Sequence, residues 1–99
     1  MNSKVKREGD TVTLYLSGSI DIPGAENLKK ILNKIADEEP KEVVIDFAEV
    51  NFIGSSGIGK LLLFYKNFTS KGAGVKIINI NKEIKALFKA IKLDTLFNI

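Results

Sequence analysis

The residues best placed to do chemistry form a short turn of glycines and serines near the middle of the chain. The turn reads Gly54-Ser55-Ser56-Gly57-Ile58-Gly59 and lies between an apolar strand pattern and an amphipathic helix pattern. The start of a helix has free amide groups and a partial positive charge. The turn therefore has three interpretations: a structural helix cap, a loop that binds a phosphate group, and a regulatory serine.

The three interpretations require different residues in the turn or different surroundings. As a cap, Ser55 is the best N-cap candidate, because a serine oxygen accepts hydrogen bonds from free amides. As a nucleotide loop, the turn lacks the Lys-Ser or Lys-Thr ending of a P-loop and the third glycine of a dinucleotide fingerprint. As a regulatory site, a phosphoserine would be tolerated at a helix N-terminus, whereas a partner packed over it would have to bury or face its charge.

Composition excludes several classes of chemistry. The 99 residues contain no Cys and no His, so thiol nucleophiles, disulfides, imidazole bases and zinc fingers are excluded, and no metal site or cofactor is indicated. No base accompanies a nucleophile, so we expect no catalytic residues and no enzyme activity. The net charge of +3 arises from fifteen basic and twelve acidic residues scattered along the chain. This pattern predicts a solvated surface rather than a nucleic-acid interface.

The length predicts a single domain over residues 1–99 with a core of its own. The start of the chain, Met1-Asn2-Ser3-Lys4, leads directly into a strand pattern and lacks a long apolar stretch. We therefore expect neither a signal peptide nor insertion into a membrane, and a cytoplasmic location.

The first third of the chain predicts a hairpin followed by a helix. Strand patterns over 4–8 and 11–16 flank the turn Gly9-Asp10, and a loop is expected over 18–23. Pro23 suits the first residue of a helix, Pro40 ends that helix, and the acidic cluster at 37–39 is expected in a solvated loop. The predicted buried stripe of this helix consists of Ala25, Leu28, Ile31, Leu32 and Ile35.

The rest of the chain alternates strands with helices. Residues 42–47 have apolar side chains on both faces, as in an interior strand covered on both sides, and Asp46 within it is expected to be structural. A further strand is predicted over 75–80, and Asn81 is expected to cap the last helix. After the central strand, the chain is expected to run inward through Val50, Phe52 and Ile53. The buried stripe of the last helix is expected to consist of Ile84, Leu87, Phe88 and Ile91. The surface near Leu93, Leu96 and Phe97 is expected to be exposed or covered by a partner.

This order predicts an α/β fold. Strand followed by helix recurs three times, which favours parallel pairing. We expect a small mixed β-sheet, with an N-terminal hairpin followed by β-α repeats and with the helices packed on the sheet.

The helix after the serine turn has a definable outer face. Apolar residues at helical spacing, Ile58, Leu61, Leu62, Tyr65 and Phe68, predict its buried side. At 100° per residue, Ser56, Lys60, Leu63 and Asn67 then lie on the opposite side. An isolated exposed leucine often has no function, but beside the serine turn Leu63 is also a candidate docking contact.

The segment from Asp46 to Gly59, which contains the serine turn, resembles the signature of STAS-domain anti-sigma-factor antagonists. These are bacterial regulators that release a sigma factor by capturing its inhibitor. The resemblance extends upstream to Gly18-Ser19-Ile20-Asp21 and downstream to Gly72-Ala73-Gly74 and Leu87-Phe88, so it covers nearly the whole chain. In one respect the sequence departs from the family pattern, because Gly54 occupies the position where the family usually has Asp.

The resemblance implies a function in which the protein binds other proteins and is itself modified. It implies a STAS domain that captures an anti-sigma factor and releases it when phosphorylated on the first serine of the pair, which is Ser55. It also implies an ATP-dependent serine kinase, often the anti-sigma factor itself, and an opposing serine phosphatase. Asp21 matches a family Asp near the serine loop. The predicted partner-binding residues are Asp21, Gly54, Ser55, Ser56, Gly57, Lys60 and Leu63.

A second function remains open within the same family. A STAS domain can be a scaffold subunit of a transporter or of a lipid-trafficking assembly without kinase regulation, and Gly54 in place of Asp favours this alternative. A nucleotide-using enzyme is the third and weakest possibility.

Overall fold

A computed structural model describes all residues from 1 to 99. It contains one sheet of four strands in the order β1-β2-β3-β4, together with three helices. The elements, in chain order, are β1 (Asn2–Glu8), β2 (Thr11–Ile20), α1 (Ile22–Asp37), β3 (Glu42–Ile53), α2 (Ser55–Thr69), β4 (Gly74–Ile78) and α3 (Lys82–Ala90). The predicted α/β fold with a small mixed sheet is confirmed.

The sheet is mixed because its first pair is antiparallel and the others are parallel. β1 and β2 form the predicted hairpin, with Glu8 opposite Thr11 and with Gly9 in the left-handed region that favours glycine. β2 pairs with β3, and β3 with β4, in parallel. In both parallel pairings residues in register point to the same face, so the alternation along each strand divides the sheet into a buried face and an outer face.

One face of the sheet carries the core. A continuous cluster of 20 buried residues joins β2, β3 and β4 to side chains from all three helices. The outer face is covered only by its own side chains: Val44 is buried between Thr13 and Lys76, which are its neighbours in register. The prediction that β3 is covered by further elements on both sides is therefore wrong, although its residues are buried on both faces.

The boundaries of several elements differ from the predicted ones. β2 continues to Ile20, where a loop was predicted from Gly18, because it pairs with the long strand β3 to its end. α1 begins at Ile22, one residue before Pro23, and includes Asp37 as its last residue. β4 ends at Ile78 because Asn79 has a positive φ of 57°.

The last helix and the residues after it depart most from the prediction. Asn81 caps α3 as expected, accepting from the amide of Ile84 at 2.8 Å, and Ile84 and Phe88 are buried. Leu87 and Ile91, expected in the buried stripe, are 38% and 43% exposed. This nine-residue helix buries only the narrow face that meets β3.

The C-terminal residues belong to the core. Phe97 was expected near an exposed or partner-covered surface, but it is fully buried. Its ring packs edge-on against Tyr65 and Phe88, and its carbonyl accepts a hydrogen bond from the amide of Ile77 at 3.3 Å. The expected exposed surface is therefore reduced to Leu96 and the half-buried Leu93.

Candidate functional site

The start of α1 and the start of α2 lie side by side at the carboxyl ends of two strands. β2 ends at Ile20 and β3 at Ile53, and these two residues are partners in the parallel pairing. The amide of Gly54 then donates to the carbonyl of Ile20 at 3.0 Å. This hydrogen bond brings the Asp21 and Ser55 loops together, as the resemblance implied.

The two helix starts are capped differently. Asp21 is the N-cap of α1, and its Oδ1 accepts from the amide of Gly24 at 2.9 Å. The prediction that Ser55 is the N-cap of α2 is wrong. The N-cap is Gly54, in extended conformation, and α2 begins at Ser55 itself. The reason is tertiary: the hydrogen bond from Gly54 to Ile20 holds Gly54 at the end of the sheet, so the helix starts one residue later than it would with a serine cap.

Ser55 is therefore an exposed first helical residue with its hydroxyl free. No side chain caps α2, and the first turn contains no acidic residue. The first amide of α2 to find a partner in its own helix is that of Ile58, which donates to the carbonyl of Gly54 at 3.1 Å. The amides before it have no intrahelical acceptor, which leaves a partial positive charge beside Ser55.

Two glycines of the turn have different structural roles. A Cβ on Gly57 would lie 2.6 Å from Cγ2 of Ile20, so glycine is what lets α2 approach the strand ends. A Cβ on Gly54 would have no neighbour closer than 3.6 Å, and the backbone conformation there suits any residue. The site thus needs glycine at 57 but has room for a side chain at 54.

A cleft of about 400 Å³ opens between the two helix starts. Its rim includes Ile22, which is 73% exposed, and Phe52, which is 51% exposed. Seven residues line the cleft: Asp21, Ile22, Pro23, Phe52, Gly54, Ser55 and Ser56. Large exposed apolar side chains close together beside polar groups are typical of surfaces that bind another protein.

The sequence did not reveal either apolar residue of this rim. Phe52 was expected to point inward, but the register between β2 and β3 shifts after Gly18, so that Ser19 pairs with Phe52 and Asn51 is passed over. That irregularity reverses the alternation and turns Phe52 outward, and no residue pattern marks it. For Ile22 a signal existed, since it is an apolar residue that lies outside the predicted stripe of α1.

Further along α2, the predicted outer face is only partly free. Leu63 is 56% exposed, as expected from its angle on the helix. Lys60 is half-buried against α1, with its Nζ 3.6 Å from Oε1 of Glu26, and Ser56 is also half-buried. Phe64, which the predicted stripe omitted, is buried in the core.

Other polar groups of the chain form no second site. Asp46 is buried and accepts from the amide of Ala48 at 2.8 Å and from Nδ2 of Asn79 at 3.2 Å, which fits the structural role expected for it. No group of acidic residues is arranged to hold a metal ion. None of the three helices has the length and apolar character needed to cross a bilayer.

Comparison with models of known protein families gives a match over nearly the whole chain. The model of the STAS domain family matches residues 2–99, and the chain belongs to that family.

Individual relatives are distant but cover most of the chain. An anti-sigma-B factor antagonist of Bacillus subtilis is 24% identical over 99 residues, which is 100% of this chain and 90% of the relative. An anti-sigma factor antagonist from Mycobacterium paratuberculosis has a similar structure, with a TM-score of 0.84, 23% identity and coverage of 97% and 81% of the two chains. The Bacillus cell fate determinant SpoIIAA in its phosphorylated form gives a TM-score of 0.77 at 18% identity, with coverage of 96% and 87%. At these identities the solved structures support the fold alone.

Proposed function

We propose that this protein is an anti-sigma-factor antagonist whose binding is controlled by phosphorylation of Ser55. In the unmodified state it captures an anti-sigma factor through the cleft between the starts of α1 and α2. The observation that carries the proposal is the position of Ser55: an exposed hydroxyl at the start of an uncapped helix, on the wall of a cleft with an apolar rim. The names of the Bacillus and Mycobacterium relatives support it.

The start of α2 would tolerate a phosphate on Ser55. A phosphoserine carries up to about two negative charges and three acceptor oxygens. The free amides and partial positive charge of the helix N-terminus favour such a group, and no acidic residue of the first turn opposes it. A structural neighbour solved in a phosphorylated form is consistent with this reasoning.

The same phosphate would oppose binding. A partner packed on Ile22 and Phe52 would cover Ser55 as well, because all three residues line one cleft. The partner would then have to bury the charge or meet it with its own residues, which is costly unless the charge is paired. Shifting a complex from mostly formed to mostly broken takes about 5 kcal/mol, a magnitude that one buried dianion can supply.

In this proposal the protein is a substrate of other enzymes and has no catalytic function. A serine kinase, which can be the anti-sigma factor itself, would modify Ser55, and a serine phosphatase would reverse the modification. Asp21 would act mainly by holding the start of α1 in place through its hydrogen bond to Gly24, and Leu63 would add a contact about two turns of α2 beyond the cleft.

A scaffold role without a kinase is the alternative, and Gly54 is the residue that favours it. The family usually has Asp at this position. Since an added Cβ at 54 would make only ordinary contacts, no clash at that atom explains the glycine. Gly54→Asp therefore tests whether a kinase recognises an acidic residue at this position. If it does, the variant should be phosphorylated faster than the natural protein while folding equally well.

The decisive experiment identifies the modified residue. The protein is incubated with candidate kinases and ATP, and the phosphate is located by mass spectrometry. Ser55→Ala should abolish the modification, whereas Ser56→Ala, the matched control at the half-buried neighbour, should retain it. Phosphate found only on Ser56, or none with a kinase that modifies another antagonist, would refute the switch and leave the scaffold role.

A further inference from the structure

The outer faces of α1 and α2 carry an excess of positive charge. Together with Lys71 the two helices contain six lysines and two acids, a net charge of +4, while of the two acids directly after α1, Glu38 pairs with Arg7 and Glu39 adds one negative charge. The only ion pair among these residues joins Lys60 to Glu26, so the other five lysines have no salt-bridge partner. The six lysines are Lys29, Lys30, Lys34, Lys60, Lys66 and Lys71.

A groove runs between these two helices, away from the serine cleft. We call it the helix-pair groove and define it by Lys29, Asn33, Ala36, Leu63, Phe68 and Lys71. Its floor is apolar, because Leu32, Phe64 and Phe68 are buried beneath it. Ala36, Phe68 and Lys71 also line an adjoining cavity of about 470 Å³, whose lining includes Glu39 and Lys41 as well as Pro40 and Gly72.

The shape and chemistry of the groove indicate one kind of occupant. From Leu63 to Phe68 the groove follows α2 for about 8 Å at the helical rise, which is about one and a half turns of helix. Leu63 and the floor offer apolar contacts, while Lys29 and Lys71 offer positive charge at its edges. A nucleic acid would use the lysines but not the exposed Leu63, whereas an amphipathic helix uses both.

We propose that the helix-pair groove binds an acidic amphipathic helix of a protein partner, with Leu63 as the apolar anchor and with Lys29 and Lys71 facing the acidic residues. Complementary charge of this kind steers association and fixes orientation. The proposal is separate from the Ser55 switch because it requires no modification, and of its three named residues only Leu63 is also proposed to contact the anti-sigma factor.

The test uses the unmodified chain and a labelled synthetic helix of sixteen residues with Leu at helical spacing and Glu elsewhere. Binding is followed by fluorescence anisotropy and mapped by NMR chemical shifts. The peptide should bind at the groove, and its binding should weaken steeply with added salt. A peptide with Lys in place of each Glu should bind at least tenfold more weakly.

Charge-matched variants locate the surface. Lys29→Glu with Lys71→Glu should weaken binding of the acidic peptide at least tenfold. Lys4→Glu with Lys6→Glu changes the charge equally on exposed residues of β1 and should change it less than twofold. Thermal melts serve as the control and should show that both double variants are folded. Equal losses in the two, or shifts outside the groove, would refute the proposal.

A third measurement separates a protein partner from a nucleic acid. Leu63→Ser should weaken binding of the acidic peptide but leave binding of a DNA duplex of similar length unchanged. If the duplex binds more tightly than the peptide and is lost in the Lys29→Glu, Lys71→Glu variant, the groove is a nucleic-acid surface and the proposal is wrong. Because no kinase is involved, either failure leaves the Ser55 proposal intact.

Discussion

Ser55 shows how much a single residue's role depends on one backbone hydrogen bond. Periodicity placed the start of α2 within the turn, and the resemblance singled out this serine. The residue that caps the helix was nevertheless predicted wrongly, since Gly54 is held by the carbonyl of Ile20 in a strand more than thirty residues away. Local sequence cannot show such a contact. Its consequence is favourable for the proposed switch, because the hydroxyl of Ser55 is free rather than engaged in a cap.

A first prediction follows for the stability of Ser55 variants. Ser55→Ala should change the free energy of unfolding by less than about 0.5 kcal/mol, because no cap hydrogen bond is lost. Ser55→Asp should raise it by about 0.3 to 1 kcal/mol, since a carboxylate is favourable at a helix N-terminus. Chemical denaturation measures both. A loss above about 1 kcal/mol in the Ala variant would show that Ser55 caps the helix after all.

Two glycines of the turn give a second prediction, in which the same change to alanine has opposite effects on stability. Gly57→Ala should destabilise the protein by about 1 to 3 kcal/mol, because its Cβ would overlap Ile20 and crowd Ile53. Gly59→Ala should stabilise it by about 0.5 to 1 kcal/mol, because nothing lies within 4 Å of that Cβ and alanine favours helix. Melting temperatures of the two variants should therefore move in opposite directions. A shift in the same direction would mean that α2 sits differently on the strand ends.

Leu63 supports a third prediction, which uses its neighbour as the control. Leu63→Glu should alter the free energy of unfolding by less than about 0.5 kcal/mol, because the side chain is mostly exposed. Phe64→Ala should cost about 3 to 5 kcal/mol, because that ring is buried in the core. Loss of anti-sigma-factor binding by the Leu63 variant with its fold intact would identify a contact residue. A large drop in its melting temperature would place Leu63 in the core instead.

At the scale of elements, the sequence correctly predicted a helix that buries a continuous apolar stripe. It failed where strand pairing sets the length of a strand, or where the contact area of a helix sets how much of it is buried. The stripe of α1 was largely right, since Ala25, Leu28, Leu32 and Ile35 are buried as expected. β2 was predicted too short because residues 17–19 are polar or small, and only their pairing with β3 makes them part of the strand. In α3 the periodicity was correct, but a nine-residue helix at the edge of the core does not bury all of its apolar face.

One ion pair joins two elements that the sequence gave no reason to connect. The guanidinium of Arg7 in β1 donates to both carboxylate oxygens of Glu38, which is the C-cap residue of α1. These hydrogen bonds, and secondarily the charge of Arg7, lower the pKa of the Glu38 carboxyl below its ordinary value. The pair therefore links the outer strand of the hairpin to the end of α1, on a half-exposed surface.

This pair gives a fourth prediction, on pH dependence. Because the folded-state pKa of Glu38 is lowered, its contribution to stability is present above the ordinary glutamate pKa of about 4.3 and is lost as pH falls through the lowered value. Glu38→Gln should thus be less stable than the natural protein at neutral pH, and the difference should shrink toward about pH 2. Thermal melts across this range measure it. Glu39→Gln, at a residue without a salt bridge, should show no such convergence.

At the scale of the whole molecule, the two proposed surfaces lie on one helical layer but differ in how they arise. The serine cleft forms where parallel strands end and two helices begin, a place that topology creates in any sheet of this kind. The helix-pair groove depends instead on lysines placed along α1 and α2. In sequence the lysines looked scattered, and the packing of α1 beside α2 brings Lys29 and Lys71 to the same groove.

The last prediction also concerns the whole molecule, because the C-terminal residues pack against several elements of the core. Phe97 is fully buried against Tyr65 of α2 and Phe88 of α3, and its carbonyl bonds to Ile77 of β4, so one residue connects three elements. Phe97→Ala should lower the free energy of unfolding by about 3 to 5 kcal/mol, the cost of removing a buried aromatic ring.

The adjacent Leu96 is 38% exposed and serves as the control. Leu96→Ala removes a large apolar side chain one position away, but it leaves less of a cavity, so its cost should be below that of Phe97→Ala by at least about 1.5 kcal/mol. Urea denaturation of both variants decides the matter. Equal and small losses would mean that the C-terminal segment is not part of the core in solution, in which case the rings of Tyr65 and Phe88 would be left partly uncovered and the apolar surface first expected near Phe97 would be real.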